Sequence, residues 1–385
     1  MIICEDCGQE TADTPYCVRC GHRRGRAPVA AARRGFSANP TEAALSLRII
    51  STIFPQLPRD EMRAFRWALL LGTAIVVVLG AVGAFPVALV AAAVLVPLVM
   101  VVYLYDVDIY EDEPLRIYVF TFVSGAILGA LTGLVLRAAV HQNVLSGGYD
   151  ATSIAVLGVA VPLVSGALML IGPIVLLRYP RFNDMLDGAT FGATAAAAFV
   201  GAQIIAQSID LLRDGLFPTA DRALWVARLL AQGVALPLIA GGAVGAACGA
   251  LWLHYRAPSR DRSRLGRLGH PAVALASGGL LLVLAALSRL LLAEIPALIA
   301  QVILAAIALI WLRLVLHGGL IEESLEIPIG PDIICPNCGK ATPFHTFCGE
   351  CGVALRALPK ARLRPAAAPD TSAPATPATG GGPEA

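Results

Sequence analysis

The chain has 385 residues, room for two or three soluble domains, yet 57% of them are hydrophobic and only 15% charged. Mean hydropathy is +0.72, and soluble domains carry about 25% charge, so an ordinary soluble protein is excluded. The net charge of +2 gives no electrostatic ground for a nucleic-acid partner.

Residues 1–25 form a cysteine cluster in which Cys4-x2-Cys7 is followed, nine residues on, by Cys17-x2-Cys20. The pattern returns near the other end as Cys335-x2-Cys338 and Cys348-x2-Cys351, within 330–356. The second cysteine of each pair precedes a glycine: Gly8, Gly21, Gly339 and Gly352. A Cys-x2-Cys turn sets two thiolates on one side of a knuckle, and glycine allows the backbone to close it. Two facing knuckles make a tetrahedral four-sulfur site, which suits zinc over a rubredoxin-like iron. Disulfides are disfavoured in a reducing compartment. Both segments resemble the small zinc-ribbon modules of many bacterial proteins, which implies two structural Zn2+ ions per chain. A complete four-cysteine set leaves no open position, so His22 and His345 read as surface histidines, and the ribbons read as folding independently.

Residues 26–64 read as a linker and a juxtamembrane amphipathic helix. Asn39 is its cap, Pro40 its first residue and Glu42 its capping-box acid. The first long apolar run starts about sixty residues in, so no secretory signal peptide is expected.

Residues 65–317 then read as an eight-span membrane domain. The spans fall near 65–84, 86–105, 117–138, 154–177, 188–209, 229–254, 271–292 and 295–316. The fold class is therefore an all-α polytopic membrane protein with a small zinc ribbon at each terminus. Arginines divide eight to five between alternate short loops, with Arg59, Arg63 and Arg66 adding to the majority side. This puts both termini in the cytoplasm. The scarcity of lysine beside arginine, with abundant alanine, points to a bacterial cell membrane. The tail at 357–385 is Pro/Ala-rich and reads as disordered.

Within the spans, Gly125, Gly129 and Gly133, then Gly188 and Gly192, then Gly241, Gly245 and Gly249 recur every fourth residue. That spacing puts them on one helix face, as close helix packing requires. Cys248 reads as a small buried apolar residue. Gln203, Gln207, Gln232 and Gln301 read as interhelical hydrogen-bonding groups. No acid or arginine sits mid-span, unlike a proton pump. Five acids, Asp106, Asp108, Glu111, Asp112 and Glu113, precede Pro114. They either cap the next helix or bind a cation or basic partner.

That acidic loop, with Asp187-Gly188-Ala-Thr-Phe191-Gly192 and Phe199-Val-Gly-Ala-Gln203, resembles the PrsW-type intramembrane metalloprotease family over about 100–255. The resemblance implies membrane-embedded metal-assisted hydrolysis using a Glu-Glu pair, a Phe-x-x-x-Glu glutamate and an intramembrane His. In this chain the pair falls near Ser165 and Gly166, Gln203 replaces the glutamate, and the sixth span reads Gln232-Gly-Val-Ala-Leu-Pro. The chain thus reads as a catalytically inactive PrsW-like protein with no catalytic residue. It is expected to be a membrane adaptor or sensor with a cytoplasmic protein partner on its ribbons. An active protease and a transporter of an uncharged or lipidic substrate are the alternatives.

Overall fold

The computed structural model describes residues 1–24, 63–106, 115–145, 150–182, 184–217, 221–256, 266–324, 327–355 and 364–365. The amphipathic helix read around 39–53, and the acidic loop beyond Asp106, lie outside them.

Eight helical segments among the described residues are long and apolar enough to cross a bilayer. The first three are α1 (Arg63–Ala81), α2 (Phe85–Asp106) and α3 (Leu115–Leu145). The fourth is broken into α4 (Ala151–Ala155), a π-helical turn at Val156–Ala160, α5 (Val161–Met169) and α6 (Ile171–Leu177). The fifth joins α7 (Met185–Gln207) to α8 (Ile209–Asp214). The sixth joins α9 (Arg222–Leu230), a second π-helical turn at Ala231–Ala235, and α10 (Leu236–Tyr255). The last two are α11 (Pro271–Leu291) and α12 (Glu294–Ser324). Six of the eight expected boundaries lie within about three residues of those observed. The fifth and sixth run further, because α8 and α9 prolong them at one end.

α7 and α10 are buried at the centre, against each other and against α3 and α12, whereas α1 lies on the periphery. The glycine spacing does what the sequence implies. A Cβ on Gly125 or Gly129 would overlap the backbone of Ala195 or Phe199, and one on Gly133 would lie 2.6 Å from the Gln203 carbonyl oxygen. Gly192 leaves room for Cys248, which is fully buried. One aromatic cluster closes the ribbon end of this centre: Phe191 meets Phe182, Tyr118 and Trp252 edge-on at 5.4, 5.7 and 6.0 Å. The outer surface carries exposed Leu70, Leu71, Ile75, Val77 and Val78 on α1, and Ile299, Val302 and Ile303 on α12. A contiguous apolar surface of this kind needs a bilayer or a partner to cover it.

The two cysteine segments each carry a short hairpin: β1 (Ile2–Ile3) with β2 (Glu10–Thr11), and β3 (Asp332–Ile334) with β4 (Ala341–Pro343). One expectation is corrected here. Part of the supposedly disordered 357–385 tail is β5 (Arg364–Pro365), which pairs along β3. A free strand edge favours such pairing, and proline is tolerated on the outermost strand.

The ribbons are not independent, which corrects a second expectation. The Tyr16 amide donates to the Gly349 carbonyl and the Phe347 amide to the Val18 carbonyl, both at 2.8 Å. One constant shift in numbering turns Tyr16 into Phe347 and Val18 into Gly349, so these bonds are a reciprocal pair about a pseudo-twofold axis. Tyr16 and Phe347 are buried in the interface. His345 is buried there too, correcting its reading as a surface residue; its ring nitrogens lie 3.1 Å from the Val18 carbonyl and 3.0 Å from that of Ile327. Spacing within one segment carried no sign of this interface, because half of it comes from the other end of the chain. His22 is exposed, as expected.

Candidate functional sites

Each ribbon brings its four cysteines together. Cys4 and Cys20 Sγ atoms are 3.7 Å apart, Cys7 and Cys17 3.9 Å. In the second ribbon Cys335 and Cys351 are 3.8 Å apart, Cys338 and Cys348 3.9 Å. Disulfide sulfurs lie at about 2.05 Å, so these are free thiols. A tetrahedral ion with metal–sulfur bonds of about 2.3 Å has sulfur–sulfur edges of about 3.8 Å, so each set is sized for one metal ion.

The knuckle glycines explain the geometry. Gly8, Gly21, Gly339 and Gly352 have φ of 69, 71, 74 and 73°. Each amide donates back to the first cysteine of its pair, for example Gly21 to Cys17 at 2.8 Å. Side-chain and backbone donors also face the sulfurs: Asn337 Nδ2 lies 3.2 Å from Cys351 Sγ, and the Glu350 amide 3.4 Å from Cys348 Sγ. Such contacts orient ligands and stabilise thiolate charge. The thiols do not ionise alike: hydrogen bonding from Cys20 holds Cys17 down to about 4, while burial pushes Cys7 up to about 11. A metal that binds all four at neutral pH must displace a proton from Cys7, so acidification is expected to release it.

The knuckles make a graded prediction. Alanine at Gly339 meets nothing within 4 Å, so only the left-handed backbone is penalised, at about 1–2 kcal/mol. Alanine at Gly352 carries the same strain and also lies 2.9 Å from the Tyr16 ring. Gly352→Ala is therefore expected to lower the chelator concentration that unfolds the ribbons more than Gly339→Ala does. Equal shifts would contradict the inter-ribbon contact.

The ribbon pair is fixed to the bundle. Arg19 Nη1 donates to the carbonyls of Ser324 at 3.0 Å and Ile327 at 3.2 Å. A guanidinium there satisfies carbonyls at the end of α12 and complements the helix dipole.

A second feature lies at the far end of the bundle, away from the ribbons. A cavity of about 540 Å³ runs from that end toward mid-bundle. Its mouth has two ion pairs: Arg137 Nε to Asp210 Oδ2 at 2.6 Å, and Arg228 Nη2 to Glu294 Oε1 at 2.5 Å. Further in, it is lined by Gln203, Gln207, Gln232 and Ser165. The structure thus gathers Ser165, Gln203 and Gln232 around one cavity, while Gly166 packs on Leu282. The expected interhelical role holds for Gln301, which donates to the Ala285 carbonyl at 3.1 Å. It does not hold for Gln203, Gln207 and Gln232, which line the cavity and whose side chains make no hydrogen bond among the described residues.

The walls are built from an internal repeat. Leu157-Gly-Val-Ala-Val-Pro-Leu163 and Gln232-Gly-Val-Ala-Leu-Pro-Leu238 match at five of seven positions. Each repeat overlaps a π-helical turn that stops two residues before its proline, Pro162 or Pro237. Proline has no N–H to continue the regular ladder, and the widened turn precedes that break. Leu157, Val161 and Ser165 line one wall, while their repeat equivalents Gln232, Leu236 and Ala240 line another. The repeat was the available sequence signal for this cavity.

Among the described residues, the groups able to gather three or more metal ligands are the two cysteine sets. Compared with protein-family models, characterised proteins and solved structures, the chain matches none.

Proposed function

We propose that the chain is a non-enzymatic, multi-pass membrane adaptor or sensor whose two zinc ribbons form one cytoplasmic protein-binding head. The observation that carries this reading is the Arg19 junction with the end of α12. It fixes the head to the bundle, so a change in the bundle reaches the head through a helix about 46 Å long. Zinc fits the all-thiolate sites, has no redox chemistry to perturb them, and supplies the folding energy that segments this short lack.

The apolar exterior supports a bilayer location, with backbone polar groups satisfied inside helices. Paired ribbons require both termini on one side, and arginine bias with reduced thiols favours the cytoplasmic face of a bacterial cell membrane. Two ribbon arginines are engaged within the protein: Arg19 on the carbonyls of Ser324 and Ile327, and Arg24 on Asp13 at 3.4 Å and the Thr14 carbonyl at 3.1 Å. This supports a protein partner over nucleic acid. Ser165 and Gln203, near or at two of the positions that the PrsW resemblance singles out, line one cavity and carry a hydroxyl and an amide in place of catalytic groups.

Reporter fusions after residues 25, 145, 262 and 355 are expected to read inside, outside, inside and inside. A photo-crosslinking residue at Ile3, which is 71% exposed, is expected to trap a cytoplasmic protein only while zinc is bound. Zinc-independent adducts, or none, would refute the adaptor reading. Elemental analysis of purified protein is expected to give two zinc ions per chain, and none after all eight ribbon cysteines become serine. A third tightly held ion that survives that change would return the chain to the proteases.

A further inference from the structure

The far-end cavity has no part in the adaptor reading, yet it has the features of a ligand site. Its volume lies within the roughly 300–1,000 Å³ range of small-molecule sites. Ser165 is 6% exposed and lines the cavity with a hydroxyl that has no hydrogen-bond partner. Leaving such a group unsatisfied is unfavourable. The glutamines that share the lining also have unused hydrogen-bonding capacity. Both π-helical turns border the same space, and such turns concentrate at functional sites.

The lining changes character with depth. At the mouth, the guanidiniums of Arg137, Arg228 and Arg289 stand beside the carboxylates of Asp210 and Glu294. Arg137 and Arg228 each use Nε and Nη2 on a carboxylate. A guanidinium has five N–H donors, so their Nη1 groups remain for an anion. Below come hydrogen-bonding side chains that both donate and accept. The innermost part is apolar, with Met169, Ala240 and Leu282. Charge, then hydrogen-bonding groups, then hydrocarbon is the order of groups along a single-chain phospholipid.

We propose that this cavity binds a single-chain phospholipid. The phosphate sits at the arginine-rich mouth, the glycerol hydroxyl and ester lie among the glutamines and Ser165, and the acyl chain occupies the apolar interior. This places a lipid-recognition site at the opposite end of α12 from the ribbon head.

The test is binding of lysophosphatidic acid to the purified full-length protein in nanodiscs, read by native mass spectrometry and by competition with a fluorescent analogue. One saturable site per chain is expected. Gln203→Leu and Ser165→Leu are each expected to weaken binding about tenfold, the scale of one lost polar contact. The Gln203 side chain makes no hydrogen bond among the described residues, so its variant should keep the wild-type melting temperature and two zinc ions, which controls for misfolding. Monoacylglycerol, which lacks the phosphate, is expected to bind at least tenfold more weakly, and inorganic phosphate alone is expected not to compete. Unchanged affinity in folded Gln203→Leu, equal binding of monoacylglycerol, or effective competition by phosphate alone would each overturn the proposal. Failure to trap a partner on the ribbons would leave these readouts unaffected, so the two readings fail separately.

Discussion

Replacing Cys17 by serine is expected to undo both ribbons, although the second keeps all four of its own cysteines. Loss of one ligand opens the first site, whose metal supplies roughly 10–16 kcal/mol of folding free energy in segments of this size. The second ribbon then loses what the first covered. Phe347 is packed among Cys4, Cys17 and Cys20, and its amide loses the Val18 carbonyl. Re-exposing one aromatic side chain costs about 1.5–3 kcal/mol, and the Gly349 carbonyl loses the Tyr16 amide as well. The second site is therefore expected to hold zinc about a hundredfold more weakly. Chelator titration of the variant, with limited proteolysis of both termini, checks this. A second ribbon that keeps wild-type zinc affinity and protease resistance would show that the interface contributes nothing. Cys348→Ser should mirror the result, because the interface is pseudo-symmetric.

What the sequence made legible follows the range of the interactions involved. Each metal site lies within a run of about twenty residues, so Cys4, Cys7, Cys17 and Cys20 announce it by spacing alone. Helix existence was legible for the same reason, since hydropathy is a local sum. Pairing of the ribbons was not, because Tyr16 and Gly349 are separated by the whole bundle. The burial of His345 is a consequence of that pairing and shared its obscurity. The cavity is an intermediate case. Its repeat, from Leu157 and from Gln232, stands in plain sequence, but only the fold turns two copies of a motif into facing walls. For Gln203 and Gln232, residue type suggested helix-to-helix hydrogen bonds, and only the fold shows that they line a cavity instead.

Gly129→Val is expected to cause the largest loss of stability of any single substitution in the bundle. Gly125, Gly129 and Gly133 lie one above another on α3 and face the backbone of Ala195, Phe199 and Gln203 on α7. A side chain at Gly129 meets a carbonyl oxygen in a helix, and no rotamer change can move that atom aside. The helices must separate, which also opens the contacts at Gly125 and Gly133. Overpacking that rotamers can relieve costs about 1–3 kcal/mol, so a clash with backbone should exceed that range. Because α7 also carries Gln203 and Gln207, the displacement reaches the cavity. Gly241→Ala is the control: its new methyl group lies 3.8 Å from the Ala193 carbonyl oxygen, an ordinary contact. Replacing a helical glycine by alanine there should be neutral or stabilising by up to about 1 kcal/mol. Thermal unfolding in a fixed detergent compares Gly129→Ala, Gly129→Val and Gly241→Ala. A graded fall across the two Gly129 variants, with none for Gly241→Ala, is the expected result. Similar melting temperatures for Gly129→Ala and Gly241→Ala would mean that α3 and α7 do not approach as closely as the backbone positions require.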